Sequence, residues 1–131
     1  MALIEIAREV RLTPEESWLR LTDWERHGRF VPLTRISRTA TGFVARTGLG
    51  PVGFDDPMEI VEWQEPSFCR LEKRGRLVTG WAELRVEPHG PGSRVTWREQ
   101  IDVRGMPRAL DGLTRVSSAK LFSRVVDGLL A

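Results

Sequence analysis

Two charged residues stand where strand-like alternation reserves a place for apolar ones. In residues 3–12, Ile4, Ile6, Val10 and Leu12 share one face with Arg8, while Glu5, Glu9 and Arg11 take the other. In residues 94–104, Val95, Trp97, Ile101 and Val103 share a face with Glu99, opposite Arg94, Thr96, Arg98, Gln100 and Asp102. A charge on a buried face needs a partner or a task. The partner would make a buried salt bridge that fixes register and does no chemistry. The task would be to orient the polar group of a mainly apolar guest, or for Glu99 to move a proton as a general acid or base.

Other candidate groups have plainer readings. The string Gly48-Leu49-Gly50-Pro51-Val52-Gly53 has the glycine spacing of a dinucleotide-binding turn, but it holds a proline and precedes another strand, so it reads as a hairpin loop. Asp55, Asp56 and Glu59 lack calcium-loop spacing and read as a solvated acidic turn. His27 and His89 are isolated from each other and from Cys69, so no metal site is expected, and Cys69 reads as a small buried hydrophobe. No cofactor motif is present. Ser117 falls within an apolar helical stripe, where a serine commonly bonds back to its own helix.

These residues must be positioned by elements that the pattern makes legible. The first strand leads into Thr13-Pro14-Glu15-Glu16, a capping box with proline in the first turn. A helix carrying Trp18 and Leu21 follows, then a short helix or turn closed by Gly28 and Pro32. Strands are expected over 35–39, 43–47, 54–65, 68–74, 77–87 and 94–104. The breaks between them are short and turn-like, which favours an antiparallel meander. Beyond Pro107 the period becomes helical, with Leu110, Leu113, Ser117, Leu121, Val125 and Leu129 forming one stripe. About 24 residues of helix would run about 36 Å, enough to cross a sheet.

The chain has 131 residues, 40% hydrophobic and 29% charged, with a formal charge of +2, the composition of one soluble globular domain over residues 1–131. No apolar run reaches the roughly 20 residues of a membrane span, and the first residues alternate like a strand rather than a signal peptide. A single cysteine allows no internal disulfide. The cytoplasm is the expected compartment. The basic string at residues 73–76 surrounds a glycine where a turn is expected, and no long basic stripe is present, so nucleic acid is not an expected partner.

The order strand, two short helices, six strands and long helix resembles the START, polyketide cyclase/dehydrase and birch-pollen-allergen superfamily. The alternating first strand, the segment VRLTPEESWLRLTDWERHGRFVP, the hairpin GWAELRVEPHGPGSRVTWREQI and the amphipathic tail from Met106 carry that resemblance. It implies an α+β helix-grip fold, a curved seven-stranded antiparallel sheet wrapped around the C-terminal helix. It also makes the first and last strands antiparallel neighbours. With Leu12 set opposite Val95, Ile4 then faces Val103 and Arg8 faces Glu99. With Val86 opposite Val95 in the preceding hairpin, Leu84 faces Trp97 and Ala82 faces Glu99, and small residues at Gly80 and Ala82 leave room beside the charges.

The resemblance further implies an internal cavity whose mouth is bordered by the short helices. The ligand-binding residues expected on these grounds are Arg8, Trp24, Phe30, Ala82, Leu84, Trp97, Glu99, Ile101, Leu113, Ser117 and Leu121. The expected function is binding, or carriage, of a hydrophobic or aromatic small molecule by a monomer or weak homodimer. One alternative is a polyketide cyclase or dehydratase using Glu99 and Arg8; another is a protein-interaction module of the same fold.

Overall fold

The computed structural model describes residues 2–131, apart from the side chains of residues 108, 111 and 114. Strand β1 (Ala2–Val10) is followed by α1 (Pro14–Leu21), α2 (Trp24–His27) and a 3-10 turn at Gly28–Phe30. Six strands come next: β2 (Thr34–Arg38), β3 (Gly42–Leu49), β4 (Val52–Gln64), β5 (Phe68–Arg74), β6 (Val78–His89) and β7 (Gly92–Val103). Helix α3 (Asp111–Leu130) closes the series. The seven strands form one antiparallel sheet in the order β1-β7-β6-β5-β4-β3-β2. The meander is as expected, and β1 returns to pair with the last strand. A bulge between Ile60 and Glu62 shifts the β4–β5 register. Such an insertion bends a strand and helps the sheet curl.

Local chemistry accounts for the boundaries. Thr13 caps α1, its hydroxyl accepting from the Glu16 amide at 3.2 Å and donating to the Glu16 carboxylate at 3.1 Å. The glycine-rich string at 48–53 is a hairpin, β3 ending at Leu49 and β4 starting at Val52. On the concave face Ile4, Ile6, Leu71, Leu84, Val86, Val95 and Trp97 pack with Trp18, Leu21 and Trp24 of the short helices and with Val125, Val126 and Leu129 of α3.

Two sequence expectations need correction. The β6–β7 register is as expected, with Val86 opposite Val95, Leu84 opposite Trp97 and Ala82 opposite Glu99. The β1–β7 register is not: Arg8 lies opposite Val95 and Ile4 opposite Glu99. Alternation cannot detect this slip, because an even displacement keeps every side chain on its own face. Contacts at the strand end decide it. Ser93 is buried, 2.6 Å from the Ser17 hydroxyl, and donates to the Leu12 carbonyl at 3.0 Å, which ties the start of β7 to the turn after β1. Arg8 instead turns to α3 and pairs with Asp127 at 2.8 Å.

The second correction concerns the helical stripe. Only its rear half is docked: Val125 and Leu129 are buried, whereas Leu110, Leu113 and Ser117 are exposed, Leu113 by 67%. The rear half is held by several independent contacts. Gly128 has no side chain where the Phe30 ring lies; a Cβ there would come within 2.4 Å of it. Arg20 donates to the Leu130 and Ala131 carbonyls and Arg26 to that of Leu129, meeting the open acceptors at the helix end.

Candidate ligand cavity

The concave face and α3 enclose a cavity of about 220 Å³. Strands β2 to β7 supply one wall, with Ile36, Phe43, Phe54, Met58, Leu71 and Ile101 among its residues; Ser118, Leu121, Phe122 and Val125 of α3 supply the other. An aromatic pile runs along it. Phe43 stacks on Trp24 at 5.0 Å, His27 lies 5.3 Å from Trp24 and 5.6 Å from Trp97, and Trp97 stacks on Phe122 at 5.5 Å. His27 belongs with the rings electrically as well. Burial pushes its pKa down to about 4, so at neutral pH the ring is uncharged and its Nε2–H donates to the Leu21 carbonyl at 2.7 Å.

On the sheet side the lining holds three charged groups. Lys73 Nζ of β5 lies 2.9 Å from Asp56 Oδ2 of β4 and 3.7 Å from Glu99 Oε1 of β7. Lys73 and Glu99 are separated by the whole of β6, and they meet because Ala82, opposite Glu99, and Gly80, opposite Ile101, raise no bulk between them. Gly80 is fixed by its backbone: φ is +130°, and a Cβ would fall 1.9 Å from the Gln100 carbonyl oxygen.

The cluster is incompletely satisfied. The 3.7 Å separation is an ion pair but too long for a hydrogen bond. Both Glu99 oxygens, Asp56 Oδ1 and Trp97 Nε1 are buried without a hydrogen-bond partner. Burial pushes the Glu99 carboxyl up to about 7; the neighbouring Asp56 adds to this, and Lys73 opposes it. Burial alone would depress the Lys73 ammonium, but the Glu99 and Asp56 carboxylates outweigh it and hold its pKa above the ordinary value. A fully buried carboxyl with proton affinity near neutrality, beside a fixed ammonium, can bind a donor or exchange a proton.

Among the residues expected at the site, Trp24, Ala82, Trp97, Glu99, Ile101 and Leu121 line the cavity. Five do not. Arg8 pairs with Asp127, Phe30 packs against the helix at Gly128, and Leu84 is buried in the core. Leu113 and Ser117 lie on the exposed front of α3, Ser117 donating back to the Leu113 carbonyl at 2.7 Å. The expected Arg8–Glu99 pair does not form, and Lys73 faces Glu99 instead. Lys73 and Asp56 fall within the strands expected over 68–74 and 54–65, but the basic string around Gly75 and the reading of Asp55, Asp56 and Glu59 as a solvated acidic turn leave both out of the expected site. Parity carried the signal: Lys73 shares a face with Cys69 and Leu71, and Asp56 with Phe54 and Met58. Burial pushes the Cys69 thiol up to about 12, so it is the inert buried group expected. Among the described residues no group of three His, Cys, Asp or Glu side chains is arranged to hold a metal, and no helix is long and apolar enough to cross a membrane.

Curled sheet, C-terminal helix and internal space together define a helix-grip protein. The profile of the family described as polyketide cyclase / dehydrase and lipid transport matches residues 1–131, and the chain belongs to that family. No curated protein matches it in sequence. Among solved structures it is similar to the protein XoxI from Bacillus cereus, with 15% identity, a TM-score of 0.74 and coverage of 99% of this chain and 94% of that one. It is also similar to protein CV1439 from Chromobacterium violaceum, at 10% identity and a TM-score of 0.73 over 99% and 96% of the two chains. For Ara h 8.0201 the values are 10% identity and a TM-score of 0.67 over 98% and 97%. At such identities the likeness concerns the fold.

Proposed function

We propose that this chain binds, and in binding carries, a hydrophobic or aromatic small molecule in the cavity between sheet and α3. The observation that supports this reading is a concave, mainly apolar space whose lining includes Asp56, Trp97 and Glu99, residues with buried polar atoms that lack partners. At about 220 Å³ the cavity lies below the roughly 300–1,000 Å³ usual for small-molecule sites, which suits a compact guest of one or two rings. In this reading the chain works as one domain in the cytoplasm, as a monomer or weak homodimer. Native mass spectrometry of freshly purified protein, together with quenching of tryptophan fluorescence by added naphthalene, tests it. A retained apolar molecule or saturable quenching is expected. If neither is seen, a protein-interaction role for the fold becomes the better account.

A second reading, a cyclase or dehydratase acting on a polyketide-like substrate, is favoured by one observation. Glu99 has its proton affinity raised to about 7 beside Lys73, as a general acid or base at neutral pH requires. Arg8 plays no part in it, since it points to Asp127. Turnover of such a substrate that survives Glu99→Gln would remove this reading.

A further inference from the structure

We infer that the cavity selects a guest whose polar end is a hydrogen-bond donor bearing positive charge, a protonated amine on a one- or two-ring body, held by Glu99 and Asp56. The inference rests on the binding role proposed above and specifies its ligand class. Three features carry it.

The first is the imbalance of unmet hydrogen bonds. Among the described residues the buried side-chain atoms without partners are three acceptors, Glu99 Oε1 and Oε2 and Asp56 Oδ1, against a single donor, Trp97 Nε1. A guest that only accepts would leave most of these unmet, whereas an ammonium brings up to three donors and no acceptor.

The second is charge. In their ionised forms Glu99 and Asp56 carry two negative charges against one positive on Lys73, and Lys73 is already committed to Asp56 at 2.9 Å. Among the described residues, Glu99, Asp56, Lys73 and His27 are the titratable groups lining the cavity, and those of α3 add none. With Glu99 ionised, the remaining negative charge lies among apolar walls that disperse it poorly, and a cation from the guest would neutralise it and hold Glu99 in that form. A carboxylate or phosphate head would add to the repulsion between the acids.

The third is the wall beside the cluster. Trp97 shares the inward face of β7 with Glu99, two residues away, and stacks on Phe122. Aromatic faces attract cations and also receive a ring.

The test uses isothermal titration of the whole protein, at about pH 8 where Glu99 is mainly ionised and the amine is still protonated, with phenethylamine, phenethyl alcohol and phenylpropionate, which share a phenyl body and differ in head group. The amine is expected to bind at least about tenfold more tightly than the alcohol, roughly 1.4 kcal/mol, and phenylpropionate most weakly. Glu99→Gln, which keeps the shape of the side chain, is expected to bring amine and alcohol within about threefold of each other while the alcohol still binds. Asp56→Asn, at the edge of the cluster, gives the same direction if the first variant does not fold. Equal binding of amine and alcohol by the native protein, or an amine preference that survives both substitutions, overturns the inference and leaves these oxygens to bound water. If naphthalene and phenethyl alcohol also fail to bind, the binding role itself falls, and this inference with it.

Discussion

Lys73 Nζ and Glu99 Oε1 face each other at 3.7 Å although they belong to strands that are not neighbours. Both side chains are almost fully enclosed, and the strand between them presents only Gly80 and Ala82 at that level. Removing the lysine would strand two carboxyl groups in an apolar space. Lys73→Met is therefore expected to lower the unfolding free energy by about 3 kcal/mol in urea denaturation. Adding Glu99→Gln to it should recover at least about 1 kcal/mol relative to the sum of the single changes. Strict additivity would mean that the pair is not coupled.

Two buried groups set opposite dependences on pH. His27 falls from 6.5 to about 4 on folding, so the unfolded chain takes up a proton first and stability is lost as pH drops from about 6.5 to about 4. Glu99 rises from 4.5 to about 7, so its contribution is complete below about 4.5 and is lost as pH climbs through about 7. Each linkage is on the order of 3 kcal/mol, and in the shared interval they nearly cancel. Relative to the native protein, Glu99→Gln should lose stability on acidification across that interval, and His27→Gln should lose it on alkalinisation. Melting temperatures in a buffer series read both differences; parallel curves for all three proteins would refute the assignment.

Two glycines should respond to alanine with opposite signs. At Gly80 the new methyl meets the Gln100 carbonyl at 1.9 Å with φ at +130°, so Gly80→Ala should cost about 2–4 kcal/mol. At Gly112, in the exposed front of α3, nothing lies within 4 Å of an added Cβ, and Gly112→Ala should stabilise by about 0.5–1 kcal/mol. Urea midpoints distinguish them, and a stable Gly80→Ala protein would contradict the close approach of β6 to β7.

Leu121 lines the cavity from α3, away from the strands that carry the charged groups, so it can be enlarged without crowding them. Leu121→Phe should weaken naphthalene binding at least about tenfold and change folding stability by less than about 1.5 kcal/mol, since the added atoms enter existing space. Unaltered quenching of tryptophan fluorescence in that variant would place the guest elsewhere.

Much of the fold was legible because its signals are local. Alternation, capping at Thr13 and turn residues located the strands and helices within a few residues, and the β6–β7 register followed from a short hairpin. The β1–β7 register was not legible, since a slip of four residues leaves the facial pattern unchanged and only Ser93, meeting Ser17 and Leu12, discriminates. The site was half legible. Glu99 and Trp97 announce themselves by parity within a cleanly alternating strand, whereas Lys73 and Asp56 sit beside charged, turn-like strings that mask theirs. Their meeting with Glu99 is a property of the curled sheet, across strands far apart in sequence. The rear of α3 followed its apolar stripe; the front did not, because a helical period reveals a face without revealing whether anything covers it.

The unequal fastening of α3 bears on how a guest would come and go. Its rear turns are clasped by Phe30, Arg20, Arg26 and Arg8, while Leu113 and Val116 at the front are 67% and 64% exposed. A rod clamped at one end yields at the other, so entry would require the front turns to fray rather than the sheet to come apart. Exchange of the guest would then be governed by a small local opening, far less demanding than global unfolding. The protein could thus stay kinetically robust as a whole while releasing its contents quickly.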